Sequence, residues 1–75
     1  MTTLAVTELG LERRRQDAKW GVQDHEPLYW LAVLTEEFGE VGKALAEWRH
    51  TEYRNELIHL AAVAIQAAES YDRNR

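Results

Sequence analysis

Three glutamates fall within five consecutive positions of the sequence, in the segment TEEFGE at residues 35–40. A helix turns by roughly 100° per residue, so Glu36, Glu37 and Glu40 occupy one arc of about 100°. Further along the chain, Glu56 and His59 share a helix face, because residues three apart are neighbours on a helix. Carboxylate oxygens suit Mg²⁺ or Mn²⁺, and an imidazole nitrogen shifts the preference toward Mn²⁺, Fe²⁺ or Zn²⁺. These residue types therefore point to the binding of a divalent cation.

The charges around these glutamates are not balanced as they are on an ordinary solvated helix. Glu36 is followed by Glu40 at the i+4 position, and such a like-charge pair costs ~0.2–0.5 kcal/mol. Val41 stands at the i+4 position from Glu37, where a lysine or arginine would be stabilising. Carboxylates beside apolar surface need a cation. Spacing alone leaves two interpretations open, which are a metal site and a solvated helix face.

Three helices are expected to position these side chains. The chain has only four glycines and one proline, and it is rich in helix-forming residues. The pattern predicts a first helix over residues 3–19 or 7–19, a second over 27–49 and a third over 52–72. Pro27 suits the first turn of the second helix, and Thr51 is expected to cap the third.

The second and third helices must run antiparallel, because only a few residues join them. Glu40 and Glu56 lie roughly symmetrically about the turn near His50, so they are expected at similar heights along the hairpin. The glutamates of the second helix are then expected to face Glu56 and His59 across the groove between the two helices.

The apolar residues require more burial than a chain of 75 residues can supply alone. The third helix is apolar nearly all round from Leu57 to Ala68, so it must be buried on several sides. We therefore predict an all-α fold, a three-helix chain with a long helical hairpin that dimerises into a four-helix-bundle core. On the first helix the apolar positions spaced by sevens are Leu4, Leu11 and Ala18. The apolar stripe of the second helix consists of Leu28, Leu31, Leu34 or Thr35, Phe38, Val41 or Gly42, Leu45 and Trp48.

Length and composition limit the class of protein. A length of 75 residues predicts a single helical domain over residues 1–75. The absence of cysteine excludes disulfides and a thiolate zinc site. The net charge of −4 disfavours binding to nucleic acid or to an anionic membrane, and the longest uncharged apolar run is too short to span a bilayer. We expect a cytoplasmic protein with no nucleic-acid partner and no membrane partner.

Several motifs together carry a family resemblance. An E-E-x-x-E pattern at residues 36–40 is followed by E-L-I-H at residues 56–59, where an E-x-x-D motif would stand. With K-W-G-x-Q-x-H upstream and A-A-V-A downstream, the chain resembles the MazG-like, all-α nucleoside triphosphate pyrophosphohydrolases of bacteria and phages over roughly residues 12–70. The resemblance implies hydrolysis of an NTP or dNTP to the monophosphate and pyrophosphate. It also implies Mg²⁺ as the cofactor, with Mn²⁺ as an alternative, and a homodimer or a dimer of dimers.

The resemblance further implies roles for individual residues. Glu37 and Glu40 match the family's ligand pair on the second helix, and Glu56 matches the first ligand on the third. Glu36 matches an additional acid that holds a second ion or orients the attacking water, so Glu36 and Glu37 are the catalytic candidates. His59 stands where the family has its final acid. Three interpretations of His59 are open: it is a metal ligand that favours Mn²⁺, it contacts phosphate or water, or it weakens the site.

Substrate-binding candidates lie mainly in and around the loop before the second helix. Trp20 is suited to stack on a base, or alternatively to anchor a small core, and Gln23 is suited to read the edge of a base. Basic side chains, Arg15 among them, are candidate phosphate contacts, although a solvated surface role is favoured for any one of them. The candidate set is Lys19, Trp20, Gln23, His25, Lys43 and Arg54. Arg73 and Arg75 are further candidates to close over the triphosphate.

Two other classes of protein fit parts of the same pattern. Glu56-x-x-His59, doubled in a dimer, resembles the ligand set of ferritin-like di-iron bundles, and iron content would discriminate that class. A non-enzymatic helical dimerisation module is the third possibility. It predicts that cations do not raise the melting temperature.

Overall fold

A computed structural model describes residues 2–74, which form three helices and contain no strand. The helices are α1 (Leu4–Trp20), α2 (Pro27–Ala46) and α3 (His50–Asn74). The prediction of an all-helical chain with three helices is confirmed. None of these helices is both long enough and apolar enough to cross a membrane.

The two ends of α1 are set by residues with specific backbone preferences. The Thr3 hydroxyl accepts a hydrogen bond from the backbone N–H of Val6 at 3.2 Å, as is typical of a helix N-cap. Gly21 follows the last residue with φ 75, a left-handed conformation that glycine adopts without steric cost. Its N–H donates to the carbonyl of Asp17 at 2.8 Å, so the loop begins where the sequence predicts it.

The turn between α2 and α3 is a Schellman motif with a tryptophan at its left-handed position. The N–H of Trp48 donates to the carbonyl of Leu45 at 3.1 Å, and the N–H of Arg49 donates to that of Ala44 at 2.9 Å. Trp48 has φ 59, a conformation that costs a residue with a Cβ roughly 1–2 kcal/mol. This turn reverses the chain within three residues and makes the α2–α3 hairpin antiparallel.

Three expected boundaries differ from the structure. The second helix ends at Ala46 rather than near residue 49, because the Schellman hydrogen bonds stop it. The third helix begins at His50, so Thr51 lies inside the first turn and is not its cap. It also continues two residues beyond the expected end, to Asn74.

Helix α3 is the central element and packs against both α1 and α2. Side-chain pairs join the N-terminal part of α1 to the N-terminal half of α3, and the C-terminal part of α1 to the C-terminal half of α3, so these two helices run in the same direction. Glu8 pairs with Arg54 and Glu12 with His59, whereas Arg13 pairs with Glu69 and Gln16 with Gln66. Helices α1 and α2 thus flank α3 and leave a groove between them, with α3 as its floor.

The faces that α1 and α2 bury within the chain are not the predicted apolar stripes. On α2 the buried residues are Trp30, Val41 and Ala44, whereas most of the predicted stripe is exposed. On α1 the buried residues are Glu12 and Gln16. Leu4, Leu11 and Ala18 are exposed, so the contact of α1 with α3 is largely polar.

The loop between α1 and α2 is fastened to the C-terminal part of α3. The fully buried hydroxyl of Ser70 accepts from the N–H of His25 at 3.1 Å and lies 3.2 Å from its carbonyl oxygen, to which it donates. Arg73 donates to Asp24 at 2.7 Å and to the carbonyl of Gln23 at 3.2 Å. The loop that carries several substrate-binding candidates therefore has a defined position on α3.

Candidate metal centre and adjoining cavity

Glu37, Glu56 and His59 come together where the inward face of α2 meets α3. One donor atom from each lies within 4.8 Å of the others, and the three side chains are half-buried. Nδ1 of His59 is 3.7 Å from a carboxylate oxygen of Glu56. Ligands that surround one ion at about 2.0–2.6 Å are at most about 5 Å apart, so the separation of these donors fits a divalent cation. The antiparallel hairpin brings Glu37 opposite the other two, as the spacing predicts.

The electrostatics of Glu37 also fit a cation. Partial burial raises the pKa of this carboxyl above its ordinary value, and the nearby charge of Glu56 raises it further. His59 opposes the shift, whereas Glu36 and Glu40 add to it. The carboxylates of Glu37 and Glu56 therefore repel each other in a partly desolvated environment. A bound cation would remove this repulsion and much of the free-energy cost of burying the charges.

The other two glutamates of the segment point elsewhere. Glu36 and Glu40 are exposed to solvent. Neither belongs to the group of donor atoms that lie within 4.8 Å of one another in residues 2–74. The structure thus brings together three of the four predicted metal ligands and leaves Glu40 at the water-facing side of α2.

A cavity of about 410 Å³ occupies the groove between α1 and α2 and reaches the candidate metal centre. Both Glu37 and His59 line it, and Trp30 and Val63 contribute apolar surface. Three of the predicted substrate-binding residues also line it, namely Lys19, Trp20 and Gln23. The cavity therefore joins a candidate cation site to aromatic, amide and basic side chains.

Trp20 and Trp30 have different environments within this groove. Trp20 is 61% exposed, and the Lys19 ammonium lies 4.8 Å from the centre of its ring, so Trp20 does not anchor a core. Trp30 is buried, and its indole N–H has no hydrogen-bond partner within residues 2–74. The exposed ring of Trp20 is thus the one available for stacking.

The remaining substrate-binding candidates lie outside the cavity. His25 stacks on Tyr29 with ring centres 3.8 Å apart and contacts Gln23 through its ring nitrogen at 3.1 Å. Arg54 forms an ion pair with Glu8 at 2.6 Å. Lys43 is exposed in the last turn of α2. Arg73 is already paired with the loop, and Arg75 lies outside the described residues.

Sequence reasoning did not identify Glu12 as part of this site. The residue is 9% exposed, and its carboxylate accepts hydrogen bonds from Arg15 at 2.8 and 2.7 Å and from Gln16 at 2.9 Å. The bidentate Arg15 contact holds the pKa of Glu12 below its ordinary value, against the effect of burial, and His59 lowers it further. The sequence contained one signal: Glu12 and Gln16 share a helix face, since they are four residues apart.

Known proteins offer no family assignment for this chain. No protein-family model, curated protein or solved structure matches it. The donor atoms and the adjoining cavity are therefore the observations that bear on function.

Proposed function

We propose that the protein is a metal-dependent nucleoside triphosphate pyrophosphohydrolase, which hydrolyses an NTP or dNTP to the monophosphate and pyrophosphate. The observation that carries this proposal is the convergence of Glu37, Glu56 and His59 at the edge of an open cavity. The motif resemblance of residues 12–70 to MazG-like enzymes supplies the reaction class.

Different residues of the chain serve the two parts of the substrate, which are the triphosphate and the nucleoside. Glu37, Glu56 and His59 would hold Mg²⁺ or Mn²⁺, which when bound would neutralise charge on the phosphates and lower the pKa of a bound water. Glu36, exposed beside Glu37, is the candidate acid that orients the attacking water. Phosphoryl chemistry asks a protein mainly for positioning and electrostatic stabilisation, and carboxylates around a cation provide both.

The cavity suits the nucleoside end. Its volume of about 410 Å³ falls within the range of small-molecule sites. Trp20 offers an exposed ring for stacking on a base, and Gln23 offers an amide that hydrogen-bonds to the edge of a base. Lys19 brings a positive charge next to that ring, where it attracts the phosphates.

The exposure of two glutamates favours this chemistry over a di-iron bundle. Ferritin-like sites bury their glutamates in the bundle core. Here Glu36 and Glu40 face water, while Glu37 is half-buried. Exposed carboxylates suit a nucleotide substrate, because the negatively charged phosphates bring bound cations that these carboxylates can contact.

We also propose that the protein is a homodimer joined through the apolar stripe of α2. Leu28, Leu31, Phe38 and Leu45 are each more than half exposed, and they recur at the spacing of a helix–helix seam. The radius of gyration is 13.0 Å, whereas a compact chain of this length has one of about 11 Å. A second copy packed on the stripe would bury these side chains and complete a four-helix core.

A pyrophosphate-release screen over all NTPs and dNTPs, with Mg²⁺ and with Mn²⁺, tests the enzymatic proposal. We expect release from at least one substrate and a loss of at least about a hundredfold in Glu56→Gln, because one cation ligand supplies several kcal/mol of transition-state stabilisation. Glu52→Gln is the matched control from the same helix, since Glu52 is exposed and does not line the cavity. No release with either metal, or an undiminished rate in Glu56→Gln, would contradict the proposal.

A further inference from the structure

The imidazole of His59 lies between two carboxylates that belong to different helices. Its Nδ1 faces Glu56 at 3.7 Å, on the side of the candidate metal centre. Its Nε2 faces Glu12 of α1 at 3.8 Å. Because the two ring nitrogens point in different directions, one can bind a cation while the other donates a proton to a carboxylate.

Glu12 is placed to act on His59 and not on the cation itself. Its two oxygens are already held by Arg15 and Gln16, and it does not belong to the group of converging donor atoms. It is also the most deeply buried carboxylate that contacts His59, with 9% of its surface exposed. A buried carboxylate fixed by three hydrogen bonds is a rigid acceptor.

The geometry points to Glu12 as the positioning residue that fixes His59 as a cation ligand: Glu12 accepts a hydrogen bond from Nε2–H and thereby presents Nδ1 to the cation. A movement of about 1 Å from the present 3.8 Å makes this hydrogen bond. Histidine ligands commonly donate their second N–H to a carboxylate, which sets the ring's orientation and raises its basicity. The inference rests on the metal site of the proposed function, but it does not require the hydrolysis.

The consequence is a site that prefers a cation able to bind a nitrogen ligand. An oriented imidazole favours Mn²⁺ over Mg²⁺, because Mg²⁺ prefers oxygen donors in a nearly ideal octahedron. Glu12 therefore determines which metal the site selects, from a position outside its ligand set. The expected signature is a coupling between positions 12 and 59 that appears for Mn²⁺ and is weak for Mg²⁺.

A double-mutant cycle that measures metal affinity tests this inference. Mn²⁺ affinity is measured from the electron paramagnetic resonance signal of free Mn²⁺, and Mg²⁺ affinity by competition, for wild type, Glu12→Gln, His59→Asp and the double variant. We expect Glu12→Gln to weaken Mn²⁺ binding by about 10- to 100-fold in the wild-type background. The same change in the His59→Asp background should alter it less than about threefold, because no imidazole remains to be oriented.

Two further variants separate positioning from a general loss of structure. Glu8→Gln removes another α1 carboxylate that pairs with α3, at Arg54, so it serves as the matched control and should leave Mn²⁺ affinity unchanged. Glu12→Asp keeps the charge but withdraws it by one methylene, so it should weaken Mn²⁺ binding even if Glu12→Gln folds poorly.

In the diamagnetic Zn²⁺ complex, ¹⁵N shifts should assign the proton of His59 to Nε2.

The possible outcomes distinguish this inference from the proposed function. Equal weakening by Glu12→Gln in both backgrounds, or a proton on Nδ1, would overturn the positioning role while leaving the metal site intact. No Mn²⁺ or Mg²⁺ binding by the wild type would overturn both. A coupling specific to Mn²⁺, together with an Nε2 proton, supports the inference whether or not the protein hydrolyses a nucleotide.

Discussion

At the scale of single residues, Glu37 has conflicting effects on stability and on metal binding. Burial and the charge of Glu56 raise its pKa, so the ionised carboxylate destabilises the metal-free fold. We expect Glu37→Gln to unfold at a higher temperature than the wild type at neutral pH without metal. The same variant should lose the stabilisation by a cation, which at a hundred times the dissociation constant is about 2.7 kcal/mol. Thermal melts with and without Mn²⁺ measure both effects.

The sign of the pH dependence follows from the raised pKa of Glu37. A raised native pKa means that the folded chain holds this proton more tightly than the unfolded chain does. The resulting stability is present below the ordinary value of 4.5 and is lost as the pH rises through the raised native value. The gain in the free energy of unfolding from Glu37→Gln should therefore grow as the pH rises from the ordinary pKa to the raised native pKa of Glu37. It should vanish below about pH 4. Glu36→Gln, an exposed neighbour, is the control, and an equal gain there would assign the effect to overall charge.

Among the predicted site residues, the structure brings together Glu37, Glu56 and His59 of the α2–α3 hairpin. Helix periodicity and a short turn suffice to bring Glu37 opposite Glu56 and His59, because both are local properties of the chain. Glu12 and Arg15 lie on α1, and their place depends on how a separate helix docks. No local pattern specifies that docking, and a buried carboxylate runs against the general tendency of acids to be exposed.

At the scale of elements, the turn between α2 and α3 carries avoidable strain. Trp48 holds φ 59 and is 78% exposed within the chain, and it lies beyond the end of the helix on whose apolar stripe the sequence pattern placed it. Trp48→Gly and Trp48→Ala both remove the indole and differ by one methyl group, so their difference in stability reports mainly the backbone conformation. We expect the glycine variant to be more stable by about 1 kcal/mol, or about 4–8 °C in melting temperature.

This order is the reverse of the one expected inside a helix, where glycine is less stable than alanine by about 1 kcal/mol. Thermal melts of the two variants at matched concentration decide the matter. An alanine variant as stable as the glycine variant would mean that the turn does not hold a left-handed residue in solution.

The faces of the helices were harder to predict than the helices themselves. Scarce glycine and proline indicate where helices run, whereas the inward face depends on which neighbour is present. On α2 two faces compete: one bearing Trp30, Val41 and Ala44 packs on α3, and the other bears the exposed remainder of the predicted stripe. Periodicity detects an apolar face but does not say whether the partner is the same chain or a second copy.

At the scale of the whole molecule, the groove exists because α3 separates α1 from α2. A three-helix chain that closed on itself would fill this space with side chains. Here the polar face of α1 is turned to α3, so the groove keeps buried polar groups next to a cavity. The chain therefore has a polar groove where a conventional core would lie, and it exposes apolar surface elsewhere.

The oligomeric state tests whether a second copy of the chain covers the exposed apolar stripe of α2. We expect sedimentation and light scattering to give twice the mass of the 8.7 kDa chain at micromolar concentration. Phe38→Asp puts a charge in the middle of the α2 stripe and should produce monomers whose melting temperature is lower, because the charge cannot be buried against a second copy. Leu4→Asp is the matched control, since Leu4 on α1 is 67% exposed and Phe38 is 66% exposed. A monomeric wild type, a dimeric Phe38→Asp, or equal dissociation in both variants would refute an interface on α2.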